Sequence, residues 1–315
     1  MDDVILRTEG LTKSYGNLKA VDDLNLEVYK GEIFGFLGPN GAGKTTSINM
    51  MCGLLRPDSG RVLIQNVPIS KGDAKIRSRM GVCPQEVVLW DRLTCIEQLQ
   101  FMGEMYGMAG SEAKERGDQL IREFDLLEKA NTQVHMLSGG MQRRLNLAMS
   151  LIHDPDILIL DEPEVGLDPQ SRVKIREYIQ SLAHEKTVIL TTHNMDEADR
   201  VADRVAIMDY GKILVLDTPE ALKRSVGEES VLELQLSAEK LDEEKIRKAL
   251  LDVGNEMRVE IIDGVLNLHA SEVLILLPRV TERLSAIGVD FGEVHIREST
   301  LEDVFIHLTG RRLRS

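Results

Sequence analysis

The segment Gly38-Pro39-Asn40-Gly41-Ala42-Gly43-Lys44-Thr45-Thr46 has the spacing G-x-x-x-x-G-K-[ST] of a phosphate-binding loop. Glycines at these offsets let backbone N–H groups turn inward around phosphate oxygens. Lys44 can neutralise the β- and γ-phosphates, and Thr45 offers a hydroxyl to Mg²⁺. A second chemical pair, Asp161-Glu162, closes the apolar run Asp156-Ile-Leu-Ile-Leu-Asp161. At the carboxyl edge of a parallel sheet, Asp161 suits Mg²⁺ through water, and Glu162 suits polarising a water that attacks a γ-phosphate. Alone, the pair would equally suit a helix cap after a strand; beside a phosphate loop the catalytic reading is preferred.

A third segment, Leu137-Ser138-Gly139-Gly140-Met141-Gln142-Arg143-Arg144, opens an amphipathic helix. Ser138 and the exposed glycine N–H groups could form a second anion site at the helix N-terminus. On this segment alone, an N-capped helix with glycines that ease packing is the plainer reading.

The elements that must position these residues are legible in outline. Glu32 to Leu37 reads as a buried strand feeding the glycine loop, and Lys44 to Cys52 as a helix closed by Gly53. With buried strands at Asp156–Asp161 and Thr187–Thr192 separated by a helical pattern, this predicts an α/β core with a parallel sheet. Between about 86 and 155 helical periodicity takes over, with Met141, Leu145, Ala148, Met149 and Ile152 on one face, which predicts a helical insert. A helix over Met195–Ala202, a hairpin around Asp209-Tyr-Gly-Lys212 and a helix opened by Thr218-Pro219 follow.

Gly227-Glu-Glu-Ser230 is the candidate linker, giving a nucleotide-binding domain over 1–227 and a second domain over 231–310. In the latter, alternating Leu232, Leu234 and Leu236, a helix through Leu241, Ala249, Leu250 and Val253 stopped by Gly254, and a turn at Asp263-Gly264 lead to a second helix and a last strand. That order, β-α-β-β-α-β, is the ferredoxin-like α+β arrangement. Pro278 should start or bend the second helix. Ser299-Thr-Leu-Glu302 reads as a capping box for a last helix ending at Gly310, with Leu301, Val304, Phe305 and Leu308 as its core face.

Composition narrows the function classes. The chain has 315 residues, 43% of them hydrophobic, and a formal net charge of −14, which repels nucleic acid and anionic lipid. No apolar stretch approaches the ~20 residues that span a bilayer. The start, Met1-Asp2-Asp3, lacks the positive region of a signal peptide, and Cys52, Cys83 and Cys95 show no metal-type pairing; a reducing cytosol is expected.

Taken together, the phosphate loop, Gln85 in Val82-Cys-Pro-Gln85, the LSGGMQ segment, Asp161-Glu162, Gly166-Leu-Asp168 and His193 resemble the ATP-binding subunit of ABC transporters in order and spacing over residues 4 to about 225. The resemblance implies ATP and Mg²⁺ as cofactors. It also implies a head-to-tail ATP-sandwich homodimer, or a pairing with another ABC ATPase, in which Ser138, Gly139, Gly140 and Gln142 of one subunit close over ATP on the other's Lys44 loop. By position, Tyr15 would stack on adenine, and Gln85 would touch Mg²⁺ and the attacking water. His193 would hold the γ-phosphate and Glu162, and Asp168 would shape the facing subunit's site. A separate integral-membrane permease is the implied partner, with the chain peripheral at the cytoplasmic face.

One departure is visible: Glu164 stands where relatives commonly carry threonine or serine. A charge there would slow hydrolysis or raise the pKa of Glu162 by like-charge repulsion, or do nothing if it faces solvent. The segment Glu298 to Gly310 resembles the ending of ATPases from drug-exporting systems of the daunorubicin-resistance type. Trp90 suits either core packing or an anchor for the membrane partner. Export of drugs or other hydrophobic compounds is the expectation. The alternatives are an ABC system for lipid, ion or polysaccharide and, less well matched, a non-transport ABC ATPase acting on nucleic acid, which the short interval between Lys44 and Ser138 and the acidity disfavour.

Overall fold

The computed structural model describes residues 3–69, 74–225, 230–236, 243–251, 253, 257–262, 264–270 and 273–310. The chain forms two compact units, residues 1–216 and 217–315.

The first unit opens with β1 (Val4–Tyr15) and β2 (Leu18–Tyr29), then the central strand β3 (Ile33–Leu37) and helix α1 (Lys44–Met51). Next come β4 (Ser59–Ile64), β5 (Val67–Pro68), α2 (Ala74–Arg77) and β6 (Met80–Cys83). The helical insert contributes α3 (Cys95–Met105), α4 (Gly110–Glu123) and α5 (Gly139–Leu151). The unit closes with β7 (Ile157–Asp161), α6 (Pro169–Ser181), β8 (Thr187–Thr192), α7 (Met195–Val201), β9 (Arg204–Asp209) and β10 (Lys212–Asp217).

Two sheets result. One has the order β2-β1-β4-β5 and is antiparallel; the other runs β10-β9-β3-β8-β7-β6, with parallel pairing from β9 through β6. Parallel strands are buried on both faces, and β3, β7 and β8 are buried at every position. Their register does the positioning: Leu37 pairs with Thr192, Asp161 with Thr191 and Cys83 with Leu160. The loops leaving β3, β8, β7 and β6 therefore emerge along one edge of the sheet, where open α/β sheets bind ligands.

Helix α5 differs from the one-faced reading. It is buried continuously from Arg143 to Leu151, because β6 lies on one side and α3 and α4 on the other. The antiparallel sheet is a further addition: register shifts at Val4/Leu6, Thr8/Leu11 and Leu11/Lys13 break the period-2 alternation that would announce β1. The hairpin between β9 and β10 turns at Tyr210 and Gly211, both at positive φ as a two-residue primed turn requires. Trp90 is 44% exposed and packs edge-on to Phe101, so it is not a core residue.

The second unit comprises α8 (Pro219–Ser225), β11 (Ser230–Leu236), α9 (Glu243–Leu250), β12 (Arg258–Ile262), β13 (Val265–Ala270), α10 (Val273–Ala286), β14 (Phe291–Glu298) and α11 (Leu301–Thr309). Its sheet order β12-β13-β11-β14, antiparallel throughout, is the ferredoxin-like order. Helix α8 packs against α11 and belongs to this unit, so the division falls before residue 217 and not at 227. The expected stops at Gly227 and Gly254, Leu241 and the turn residue Asp263 lie outside the described residues.

Three local readings shift. The capping box sits one residue later, on Thr300 and Asp303; Ile306 is buried on α11 while Leu308 is 41% exposed; and α10 continues through Pro278. The box moves because Asp303 also receives both terminal nitrogens of Arg297, at 2.6 and 2.8 Å, and this fixes it as the third helical residue. Among the described residues no helix is long and apolar enough to cross a membrane.

Candidate active site

The phosphate loop runs from the end of β3 to the start of α1, and its outer glycines are required by space. Gly38 has φ 156° and Gly43 φ 106°; a Cβ would lie 2.2 Å from the Met208 carbonyl at the first and 2.3 Å from the Ala20 carbonyl at the second. Within the loop the Ala42 N–H donates to Pro39, and its carbonyl accepts from Gly211, which ties the loop to the β9–β10 turn. Gly41 and Thr45 are exposed, as is Asn40, while Pro39 and Thr46 are half-buried.

Lys44 opens α1 and is 5% exposed. Its ammonium donates to the carbonyls of Gly38 (2.7 Å) and Pro39 (3.2 Å) and lies 3.5 Å from Glu162 Oε1. Burial lowers its pKa, and the neighbouring Glu162 and Asp161 carboxylates oppose that shift. A buried cation over a cradle of glycines is primed for an anion, because phosphate would complete its neutralisation.

Asp161 ends β7. Its Oδ1 accepts from the Thr191 hydroxyl and stands 3.4 Å from the Thr45 hydroxyl. A carboxylate and a hydroxyl converging beside a phosphate loop are the hard oxygen donors that Mg²⁺ takes, so the residues present fit that ion. Gln85 follows β6 with its carbonyl held by Arg143 and its side chain exposed.

Glu162 takes φ 50°, an uncommon backbone for a non-glycine residue that costs on the order of 1 kcal/mol. Its N–H donates to the carbonyl and hydroxyl of Thr191, which holds the turn. The carboxyl is 5% exposed and accepts from His193 Nδ1 at 2.7 Å. His193 itself keeps 45% of its side chain exposed, so its other ring edge faces outward. Lys44, Thr45, Asp161, Glu162 and His193 are thus one contact chain, from three different strand ends.

Of the other sequence-predicted residues, Ser138, Gly139, Gly140, Gln142 and Asp168 lie at the starts of α5 and α6, and Tyr15 lies apart at the end of β1. Ser138 caps α5, its hydroxyl accepting from the Met141 N–H at 3.3 Å, and Asp168 caps α6 by accepting from Gln170, Ser171 and the Ser171 hydroxyl. The Ser171 bonds hold the Asp168 pKa below its usual value. Gly139 is exposed, and a Cβ on Gly140 would lie 2.8 Å from Ser171 Oγ, so the two helix starts approach closely there. Gln142 turns its amide inward onto the carbonyls of Val134 and Leu137. Tyr15, 52% exposed at the end of β1, carries Lys13 Nζ 5.9 Å from its ring centroid.

Two findings were not legible in the motifs. Arg143 is 3% exposed, and its guanidinium donates to five carbonyls: Pro84 (2.6 Å), Gln85 (2.9 Å), Asp161 (2.9 Å), Glu162 (2.9 Å) and Pro163 (3.0 Å). It joins the loop after β6 to the turn after β7. The signal was Leu147 and Leu151, spaced by four and eight from Arg143 on the side of α5 taken as polar. The second is Glu164, which neither faces solvent nor pairs with Glu162. It is 5% exposed, bonded to Arg176 at 3.2 Å, and its like-charge neighbour is Glu197, whose pKa burial and Glu164 push up to about 7.

Known proteins resemble this chain in sequence and in fold. The ABC transporter family profile matches residues 21–165. The chain is 36% identical over 306 residues to the daunorubicin/doxorubicin resistance ATP-binding protein of Streptomyces peucetius, covering 97% of this chain and 92% of that one. It is 39% identical over 315 residues to the Nod factor export ATP-binding protein I of Ralstonia nicotianae, covering 98% and 95%. Among solved structures, a dimeric ATP-binding cassette in a post-hydrolysis state with ADP and phosphate aligns with a TM-score of 0.63 at 28% identity, covering 68% of this chain and 98% of that one.

Proposed function

The chain belongs to the ATP-binding proteins of ABC transporters, and from that premise we propose that it powers export through a separate membrane permease, with Glu162 as the general base for ATP hydrolysis. The observation that carries the residue roles is the contact chain Lys44–Glu162–His193 beside the phosphate loop, at 3.5 and 2.7 Å, with Lys44 and Glu162 buried. The loop N–H groups and Lys44 bind the β- and γ-phosphates. Glu162 takes the proton of the attacking water, and His193 fixes the Glu162 carboxylate through Nδ1 while presenting its outer ring edge to the γ-phosphate. Thr45, Asp161 and Gln85 would hold Mg²⁺, which when bound supplies charge neutralisation at the phosphates.

Export of a drug or other hydrophobic compound rests on the resistance and export proteins to which the chain is similar end to end. The dimeric cassette supports a head-to-tail pair of two copies, or of this chain with another such ATPase, in which Ser138, Gly139, Gly140 and Gln142 cover the partner's ATP, Asp168 shapes that site and Tyr15 stacks on adenine. Work through a permease places the chain at the cytoplasmic face of the membrane.

The test is a pair of substitutions. Glu162→Gln retains ATP binding and lowers turnover by about 10²–10⁴, the worth of a general base. Lys44→Ala loses nucleotide affinity. Near-normal turnover in the first or unchanged ATP binding in the second overturns the assignment.

A further inference from the structure

Strand β8 runs Thr187-Val-Ile-Leu-Thr-Thr192 and is buried at every position. In such a strand a hydroxyl is a cost unless its hydrogen bonds are met, so packing alone would select valine at position 191. Thr191 is fully buried, and its hydroxyl is met on two sides. It donates to Asp161 Oδ1 and accepts from the Glu162 N–H at 3.0 Å. The direction of these bonds is forced. An ionised carboxylate only accepts and an amide N–H only donates, so the one hydroxyl proton goes to Asp161 and a lone pair to Glu162.

The sheet register brings the groups together. β8 lies between β3 and β7, and Thr191 stands opposite Phe36 on one side and Asp161 on the other. The Glu162 N–H therefore has two acceptors on one residue, the Thr191 hydroxyl and the Thr191 carbonyl at 3.2 Å. They hold Glu162 at φ 50°, the backbone from which its carboxyl meets Lys44 and His193. On the other side, Asp161 Oδ1 also stands 3.4 Å from the Thr45 hydroxyl at the start of α1. One hydroxyl thus joins an expected Mg²⁺ ligand to the backbone of the proposed base. Thr187, at the opposite end of β8, is as deeply buried, and its hydroxyl accepts from the Gly31 N–H at 3.0 Å, away from the site.

We propose that Thr191 is a positioning residue for ATP hydrolysis, its hydroxyl fixing the Asp161 carboxylate and the Glu162 turn in one arrangement. The inference rests on the roles given above to Asp161 and Glu162. Without the hydroxyl, the Glu162 N–H keeps only the longer bond to the carbonyl, and the left-handed turn relaxes. The Glu162 carboxyl then leaves the place where Lys44 and His193 meet it, and Asp161 loses a donor on Oδ1. Lys44 and the phosphate loop leave β3 and keep their own hydrogen bonds, so nucleotide binding is retained.

The experiment compares Thr191→Val, Thr191→Ser and Thr187→Val with the wild type in the full chain. It reads ATP turnover at excess Mg²⁺, thermal melts, and hydrogen exchange of the Glu162 amide in the nucleotide-free protein. Thr191→Val lowers kcat by on the order of tenfold, less than the ~10²-fold that a misplacement of an ångström costs, with the KM for ATP unchanged. Its Glu162 amide exchanges faster than in the wild type. Thr191→Ser, which keeps the hydroxyl, restores most of kcat and the slow exchange. Thr187→Val lowers the melting temperature and leaves kcat at the wild-type value, which separates the loss of a buried hydrogen bond from the loss of positioning. Wild-type kcat or wild-type Glu162 exchange in Thr191→Val, no recovery in Thr191→Ser, or an equal fall of kcat in Thr187→Val overturns the proposal. If the melts show that Thr191→Val does not fold, Thr191→Ala carries the same comparison with the same expected losses. If Glu162→Gln turns over ATP at a near-normal rate, the reading of the site fails; if it loses turnover while Thr191→Val does not, only the positioning role fails.

Discussion

Arg143→Lys separates charge from geometry at the joint between the loop after β6 and the turn after β7. The guanidinium serves five backbone carbonyls at 2.6–3.0 Å. A lysine ammonium keeps the positive charge but has three donors and no planar fork, so at least two carbonyls in a buried site lose their partner. Each hydrogen bond to a charged group contributes about 1.5–3 kcal/mol, which gives a loss of about 3 kcal/mol or more. For a unit of roughly 200 residues that is a fall of about 6–12 °C in Tm. The five carbonyls include those of Gln85, Asp161 and Glu162, so the proposed general base and an expected Mg²⁺ ligand shift together, and turnover falls by up to ~10²-fold while ATP affinity changes little. Differential scanning calorimetry of the full chain, followed by ATPase assay at a temperature where both proteins are folded, measures the two effects. A loss below about 1 kcal/mol with unchanged kcat would refute the bridging role.

Gly43→Ala meets a backbone carbonyl 2.3 Å away at φ 106°, and neither can give way without opening the phosphate loop; ATP affinity is lost, and retained affinity by calorimetric titration would contradict the loop geometry. Asp303→Asn tests the second unit. Burial pushes the Asp303 carboxyl up, but Arg297 and the Thr300 N–H more than reverse this and leave its pKa below 3.8. The stability it contributes is therefore present above about pH 3.8 and lost as pH falls below that value, so the substitution costs about 3 kcal/mol at pH 7, with the difference from wild type vanishing in acid. Thermal melts of the 217–315 transition at pH 7 and pH 3 provide the check.

What the sequence disclosed followed from local chemistry. The phosphate loop needs glycines where φ is positive and a lysine at a helix start, so Gly38, Gly43 and Lys44 announce themselves. The strands β3, β7 and β8 are buried on both faces and read as apolar runs. The ferredoxin-like order was legible because Leu232, Leu234 and Leu236 alternate and the turn is marked by Gly264. What stayed hidden depends on tertiary context. Bulges broke the alternation of β1, so the antiparallel sheet had no period to find. Arg143 looks like a surface residue until α3, α4 and β6 enclose its helix. Glu164 could be flagged as unusual, but only the fold shows that it is buried and paired with Arg176 on α6. The capping box slipped by one residue because Arg297, on a neighbouring strand, favours Asp303 over Glu302.

The central claim is that Glu162 hydrolyses ATP held between two subunits. The most direct measurement is the mass of full-length Glu162→Gln by light scattering after gel filtration, with and without MgATP. The account predicts a monomer of 35.3 kDa without nucleotide and a species of twice that mass with it, abolished by adding Ser138→Arg. A Glu162→Gln protein that stays monomeric in MgATP while turning over ATP at the wild-type rate would contradict it.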